Sequence, residues 1–180
     1  MRILSYDPGP VNYGFHLGEF VVKKDKIVCN TIDSGQYDPE KLELAFTKGN
    51  DTKKQLEEFS HMVKGHMRQL IHSDHFVLER FQYRGVGHKN SIMEKVSIMN
   101  GVCLHMAITL NINIHVVTAA TWKRQVQDLK SLYTLANDKN VSAHVLDAML
   151  LGNVTASKIL NLPFNNNRPI LQRMIAKLRR

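Results

Sequence analysis

The start of the chain contains three short segments in which apolar residues are grouped together or alternate with polar ones. Residues 3–6 form an apolar run typical of a buried strand, and residues 13–22 alternate as a strand with one buried face does. A third segment of this kind covers residues 26–34. Because the connections between the segments are short enough for hairpins, the pattern predicts three neighbouring antiparallel strands.

Helical spacing begins after a polar stretch. Residues 36–50 are mixed in character and predict a connection with one helical turn at residues 42–46. Thr52-Lys-Lys-Gln55 then has the form of a capping box, and apolar side chains recur after it at three- and four-residue steps. We therefore predict an amphipathic helix, followed by a short apolar strand at residues 75–79.

A long apolar helix and another strand come next. Residues 91–110 show helical spacing of apolar side chains, several of them methionines, which indicates either a core helix or a subunit interface. Residues 113–117 have the pattern of a strand, and Thr121 is the predicted N-cap of a helix that continues through Tyr133. Because helices separate the strands of this half, we expect those strands to lie parallel in the sheet.

Two more helices are predicted towards the C-terminus. Ser142 as N-cap and Gly152 as the residue after the last turn bound a helix that is almost wholly apolar. Residues 163–180 contain a linker and a basic amphipathic helix, which either packs on the same domain, clamps a phosphate or lies on a membrane surface. The predicted class is α/β, with a mixed five-stranded sheet, three strands antiparallel and then two parallel, flanked by helices.

Composition narrows the class of protein. At 180 residues with 43% hydrophobic content, the chain suits one domain with a full core. The formal net charge of +8 favours a polyanionic partner such as nucleic acid. No signal peptide or membrane-spanning run is visible, so we expect a soluble intracellular protein. The two cysteines, Cys29 and Cys103, are far apart in the sequence and suggest neither a disulfide framework nor a thiolate zinc site.

The nine histidines give no clear metal motif. Four of them are clustered in sequence but fit no tetrahedral ligand set with partners elsewhere. These four, which we interpret as surface or packing residues, are His61, His66, His72 and His75.

Two carboxylates stand at the ends of predicted strands. Asp7 ends the first strand and is followed at once by Pro8 and Gly9, so that taken alone it is most simply a turn residue. Glu79 ends the strand after the first long helix in the same way. Since parallel strands place their carboxyl ends at the same edge of a sheet, we expect Asp7 and Glu79 to be neighbours in space.

A histidine and a third carboxylate interrupt the late apolar helix. His144 and Asp147 are three residues apart and therefore share one helix face, which either turns to solvent or binds a metal or a water. Together with Asp7 and Glu79 they make an oxygen-rich ligand set with one imidazole, which suits Mg²⁺ or Mn²⁺ better than zinc. With the basic charge, this set indicates metal-assisted cleavage of a phosphodiester.

Basic and aromatic residues supply candidate contacts to nucleic acid. The segment after Glu79 is rich in glycine, basic groups and aromatics, which is typical either of a loop over a phosphate backbone with an aromatic free to stack on an unpaired base or of an ordinary solvated loop. Two further basic residues fall in the first turn of the helix predicted from Thr121, where they oppose the helix dipole. The candidate DNA contacts are Arg80, Phe81, Tyr83, Arg84, Lys89, Lys123 and Arg124.

The order of these elements and residues resembles the RuvC-type Holliday junction resolvases of the RNase H-like (retroviral integrase) superfamily. The resemblance covers residues 2–152. Its carriers are Asp7-Pro-Gly with Asn12 and Gly14, Glu79 on the fourth strand, Lys89-Asn90-Ser91 at the start of the long helix, and Ala143-His144 with Asp147-Ala148.

The resemblance implies an RNase H-like nuclease domain over residues 1–162, with Asp7, Glu79, His144 and Asp147 as catalytic metal ligands for two Mg²⁺ ions that Mn²⁺ replaces. It leaves His144 two roles, metal ligand or proton acceptor. It also implies a homodimer through the helix at 91–110, in which each subunit cuts one strand of a four-way junction and leaves 5′-phosphate and 3′-hydroxyl ends. The expected setting is the cytoplasm of a bacterium or a phage-infected host, with an organellar or viral setting as the alternative.

Other functions share parts of this pattern. Sugar kinases and actin-like ATPases use the same fold but need two such domains, and 180 residues hold only one. A non-catalytic junction-binding protein would have the same charge without needing four polar site residues. Within nucleases, an enzyme for flaps and forks or an RNase H remains the alternative.

Overall fold

The computed structural model describes residues 1–8, 13–37, 52–80, 90–164 and 168–178. The predicted helical turn at 42–46 lies outside these residues, as do the candidate DNA contacts Phe81, Tyr83, Arg84 and Lys89. The described elements are, in chain order, β1 (Arg2–Pro8), β2 (Tyr13–Lys23), β3 (Lys26–Tyr37), α1 (Thr52–Ile71), β4 (His75–Arg80), α2 (Asn90–Thr109), β5 (Asn113–Thr118), α3 (Ala119–Lys123), α4 (Leu129–Asp138), α5 (Ala143–Ile159) and α6 (Arg168–Ile175).

The strands form one five-stranded sheet in the order β3-β2-β1-β4-β5. The first three pair antiparallel, while β4 lies parallel to both β1 and β5. The predicted fold class is therefore confirmed, including the division into three antiparallel and two parallel strands.

Helices cover both faces of the sheet. Side chains alternate along β1, so that Ile3 joins an apolar cluster with α4, α5 and α6, whereas Leu4 joins one with α1 and α2. The same alternation along β4 sends Val77 to the first cluster and Phe76 to the second. The side chains of Ser5 and Asp7, in phase with Ile3, lie on the α5 face.

Helix α5 is the most deeply buried helix among the described residues, because every residue from Val145 to Ser157 is buried. Its N-cap is Ser142, as predicted, and the Ser142 hydroxyl accepts a hydrogen bond from the His144 amide at 3.3 Å. The prediction that this helix stops at Gly152 is wrong, since α5 continues to Ile159. A Cβ at Gly152 would lie 2.8 Å from Ser5 Oγ, so this glycine permits close helix–sheet packing and does not end the helix.

The single helix predicted from Thr121 through Tyr133 is also wrong. The chain forms the short helix α3, whose N-cap is Thr118, and then the separate helix α4. Asp128 precedes α4 in the left-handed region with φ of 52°, which a continuous helix cannot include. Lys123 consequently ends a helix, where a positive charge is compatible with the helix dipole, and does not begin one.

The remaining helices lie close to their predicted positions. Helix α2 begins one residue before the predicted 91 and buries part of its apolar stripe, but Ile108 on it is 67% exposed. Helix α6 buries Leu171, Met174 and Ile175 in the cluster beside α4 and leaves Arg173 exposed. None of the helices in the described ranges has the length and apolar character needed to cross a membrane.

Candidate active site

Asp7 and Glu79 lie at the carboxyl ends of adjacent parallel strands. The β1–β4 register pairs Tyr6 with Leu78, so the next positions along the two strands are Asp7 and Glu79. Neighbouring strands are about 4.8 Å apart, which brings the two carboxylates together on the face covered by α5. Asp7 is only 6% exposed.

The first turn of α5 passes directly over the same sheet edge. Gly14, the antiparallel partner of Asp7, makes this possible, because a Cβ there would lie 2.3 Å from the backbone carbonyl carbon of His144. His144 Nδ1 is consequently 2.6 Å from Asp7 Oδ2. Asp147, one turn later on α5, is 6% exposed and completes the set. The structure thus brings the four predicted site residues to one place.

Both oxygens of Asp147 accept hydrogen bonds. Lys123 Nζ donates to Oδ2 at 2.7 Å, and the Tyr133 hydroxyl donates to Oδ1 at 2.6 Å. Lys123 also lies over the ring of Trp122, 4.9 Å from its centroid. Lys123, predicted as a DNA contact, therefore sits inside the acidic site with 36% of its side chain exposed.

The indole of Trp122 holds Glu79. Trp122 is fully buried, and its Nε1 donates to Glu79 Oε2 at 2.5 Å. Sequence reasoning missed both Trp122 and Tyr133, because it assigned them to the apolar face of one helix. The available signal was that each is an aromatic with a polar tip, and that Trp122 directly precedes the candidate basic residue Lys123.

Burial and neighbouring negative charges shift the pKa values of Glu79 and Asp147. Burial raises the pKa of Glu79 to about 7, and the charge of Asp7 acts in the same direction. Burial likewise raises the pKa of Asp147, although the hydrogen bonds from Lys123 and Tyr133 oppose it. The hydrogen bond to Asp7 raises the pKa of His144. Burial alone would lower the pKa of Lys123, but its hydrogen bond to Asp147 raises it overall.

The site has the ligand types that suit a hard divalent cation. Within the described ranges, no three His, Cys, Asp or Glu side chains are arranged as ready ligands of one ion. The carboxylates are held by proton donors, but Asp7 Oδ1 and Glu79 Oε1 accept no hydrogen bond from the described residues. Because neighbouring carboxylates act to raise the pKa of Glu79 and of Asp147, a neutralising cation is favoured, and the donor set fits Mg²⁺ or Mn²⁺.

The other candidate DNA contacts with described positions are peripheral to this cluster. Arg80 is the exposed last residue of β4, directly after Glu79. Arg124 is exposed just beyond α3. Arg80 directly follows Glu79 and Arg124 directly follows Lys123, and no described ion pair joins either arginine to a carboxylate of the cluster.

The raised pKa of Glu79 predicts how the stability of the metal-free protein depends on pH. Between the ordinary glutamate pKa near 4.5 and about 7, the folded state keeps a proton that the unfolded state has lost. The stabilisation from this proton is complete at low pH and disappears as the pH rises through 7. We therefore expect thermal unfolding in EDTA to show a larger loss of Tm from pH 5 to pH 7.5 in the wild type than in Glu79→Gln.

The matched control is Glu57→Gln, which removes an exposed carboxylate from α1. This variant should follow the wild-type curve. Parallel curves for the wild type and Glu79→Gln would show that Glu79 titrates normally.

No family model matches the chain, and no curated protein matches its sequence. Solved structures do match. Thermus thermophilus RuvC superposes with a TM-score of 0.61 at 11% identity, covering 90% of this chain and 98% of RuvC.

Two further solved structures, one viral and one mitochondrial, also superpose on this chain. The fowlpox virus resolvase, in complex with substrate Holliday junction DNA, has a TM-score of 0.51 at 11% identity and covers 89% of this chain and 99% of its own. The yeast mitochondrial Holliday junction resolvase Ydc2 has a TM-score of 0.51 at 14% identity and covers 96% of this chain and 84% of its own. The resemblance stated from the sequence is thereby confirmed at the level of fold: the chain has the RNase H-like fold of RuvC and related Holliday junction resolvases.

Proposed function

We propose that the protein is a structure-selective DNA endonuclease that resolves Holliday junctions by metal-dependent phosphodiester hydrolysis. The observation that carries the proposal is the meeting of Asp7, Glu79, His144 and Asp147 at one sheet edge. The fold supports it, since both RuvC and the fowlpox resolvase are recorded in complex with Holliday junction DNA. The net charge of +8 suits a DNA partner.

Each site residue has a role in this chemistry. Asp7, Glu79 and Asp147 would hold two Mg²⁺ ions, which when bound lower the pKa of an attacking water and stabilise the leaving 3′ oxygen. His144 contacts Asp7 through its Nδ1, and its Nε2 would either bind a metal ion or take the proton of the water. The products would be 5′-phosphate and 3′-hydroxyl ends.

Lys123, Trp122 and Tyr133 hold the acids of the site in position. Trp122 fixes one oxygen of Glu79, and Tyr133 fixes one oxygen of Asp147. Lys123 neutralises Asp147 in the protein alone, and its partly exposed ammonium would bind a phosphate of the DNA backbone. If the Lys123 ammonium moved from Asp147 to a DNA phosphate, Asp147 Oδ2 would become free to bind a metal ion.

Cutting two strands of one junction needs two active sites, so we propose a homodimer through α2. The outward side of α2 carries Ser97, Gly101, His105 and Ile108, which are all exposed. A Cβ at Gly101 would meet no atom within 4 Å, so another helix has room to approach closely there. The cytoplasmic setting remains a prediction.

A nicking assay on synthetic DNA tests the function. With Mg²⁺, we expect a four-way junction to be cut in two opposed strands at least about tenfold faster than linear duplex, and EDTA should abolish cutting. Flap, fork and RNA–DNA hybrid substrates run in parallel discriminate the alternatives. Faster cutting of flaps or forks would identify a broader branched-DNA nuclease, cutting of RNA an RNase H, and binding without cutting a junction-binding protein.

A further inference from the structure

Two histidines face each other at the end of the sheet opposite to the acids. His75 starts β4 and His115 lies within the edge strand β5, with the Nδ1 of His75 3.1 Å from the Nε2 of His115. Their rings are tilted by 43° with centroids 5.3 Å apart. Four strand positions separate His75 from Glu79, which is about 13 Å, and His115 pairs with Val77, two positions or about 7 Å before the level of Glu79. The described hydrogen bonds and ion pairs join neither histidine to an acid of the candidate active site.

The separation of the two nitrogens matches two ligands on one metal ion. Nitrogens 3.1 Å apart that each bind a metal at about 2.0–2.1 Å subtend an angle of about 100° at the metal, between square-planar and tetrahedral geometry. In the metal-free protein the same two nitrogens share an N–H···N hydrogen bond, so replacing that proton by a cation needs little movement of the strands.

The surroundings favour the neutral rings that a metal requires. Both histidines are partly exposed, so a cation can reach them and keep water on its remaining positions. Burial lowers the pKa of each ring, and the charge of Asp74 opposes this only at His75. The carboxylate of Asp74 is anchored by the Arg2 amide at 2.7 Å. The pair therefore supplies two protein ligands.

We propose that His75 and His115 form a two-histidine binding site for an imidazole-preferring divalent cation, Zn²⁺ or Cu²⁺, which cross-links β5 to β4. Mg²⁺ and Mn²⁺ prefer oxygen ligands and would remain at the carboxylates. A bound cation would hold β5 against β4. β5 is an edge strand, and among the described residues it pairs only with β4.

Zn²⁺ titration calorimetry in excess Mg²⁺ tests the site, because Mg²⁺ would compete for the carboxylates proposed to bind it. Relative to the wild type, His115→Ala should weaken Zn²⁺ binding by on the order of 10- to 100-fold, and His115→Gln, which keeps a polar side chain against His75, should do the same. The control His61→Ala removes an exposed histidine from α1 and should bind as the wild type does.

A second readout identifies the ligands directly. The electron paramagnetic resonance spectrum of one equivalent of Cu²⁺ should show coupling to two nitrogens in the wild type and in His144→Ala, but not in His115→Gln. Zn²⁺ should also raise the Tm of the wild type and not that of His115→Gln. Equal Zn²⁺ affinity in the wild type and both His115 variants, or no binding by the folded wild type, would overturn the proposal.

Discussion

Asp7→Asn is expected to reduce Mg²⁺-dependent nicking of a four-way junction by about 10³-fold or more, which corresponds to about 4 kcal/mol of lost transition-state stabilisation. The substitution keeps the size of the side chain and its contact with His144, but it removes the charge that would hold a cation between strand and helix. Junction affinity, measured by fluorescence anisotropy in Ca²⁺, should stay within about threefold of the wild type, since phosphate contacts and not catalytic ligands dominate DNA binding.

Glu79→Gln should behave like Asp7→Asn, because its carboxylate occupies the matching position on the neighbouring strand. The control is Asp25→Asn in the β2–β3 turn, where φ of 57° suits asparagine. This control makes the same chemical change at the far end of the hairpin and should retain full nicking. Cutting at more than a few per cent of the wild-type rate by Asp7→Asn or Glu79→Gln would defeat the assignment of the site.

Gly14→Ala should disrupt both folding and the site, although it adds only one methyl group. The new Cβ would lie 2.3 Å from two backbone atoms of His144 and 2.7 Å from the amide nitrogen of Val145. Because these are backbone atoms of a buried helix, no side-chain rotation relieves the contact. We expect a loss of about 1–3 kcal/mol in the free energy of unfolding, seen as a Tm lower by several degrees. Displacement of α5 should also separate His144 from Asp7. The nicking rate should therefore fall by a larger factor than the fraction of folded protein does.

Gly65→Ala is the matched control. It makes the same substitution within helix α1, where a Cβ would lie 3.5 Å from the Tyr37 hydroxyl, an ordinary contact, and helix propensity predicts a gain of about 0.5–1 kcal/mol. Opposite effects of the two alanines on Tm would support the close approach of α5 to β2. A Gly14→Ala protein with unchanged Tm and nicking would show that α5 has room to move away.

The sheet and the four polar residues could be predicted because they depend on local rules. Asp7 and Glu79 each end a strand, and a helical crossover precedes the second strand. Such strands are parallel, so both carboxylates lie at the same sheet edge regardless of the loop conformations. The spacing of His144 and Asp147 places them on one face of any helix. The site itself stays a prediction until the catalytic variants are measured.

The parts that could not be predicted depend on tertiary packing. The apolar spacing from Trp122 to Tyr133 continues without a change of phase across the left-handed residue Asp128, so no local signal separates α3 from α4. Glycine is common directly after the last turn of a helix, but Gly152 lies within α5 and lets this helix pack closely against Ser5. The partners of Glu79 and Asp147 were missed for the same reason, because the break directs Trp122 and Tyr133 towards the acids.

The burial of α5 also has a consequence for synthesis of the protein. The backbone amides of a helix buried from Val145 to Ser157 exchange with solvent only when the whole domain unfolds, so we expect them to be among the last to take up deuterium. The carboxylate supplied by β1 meets the one supplied by α5 only across a contact of very long sequence separation. A nascent chain therefore cannot bring Asp7 and Asp147 together until α5 has left the ribosome and folded onto the first hairpin.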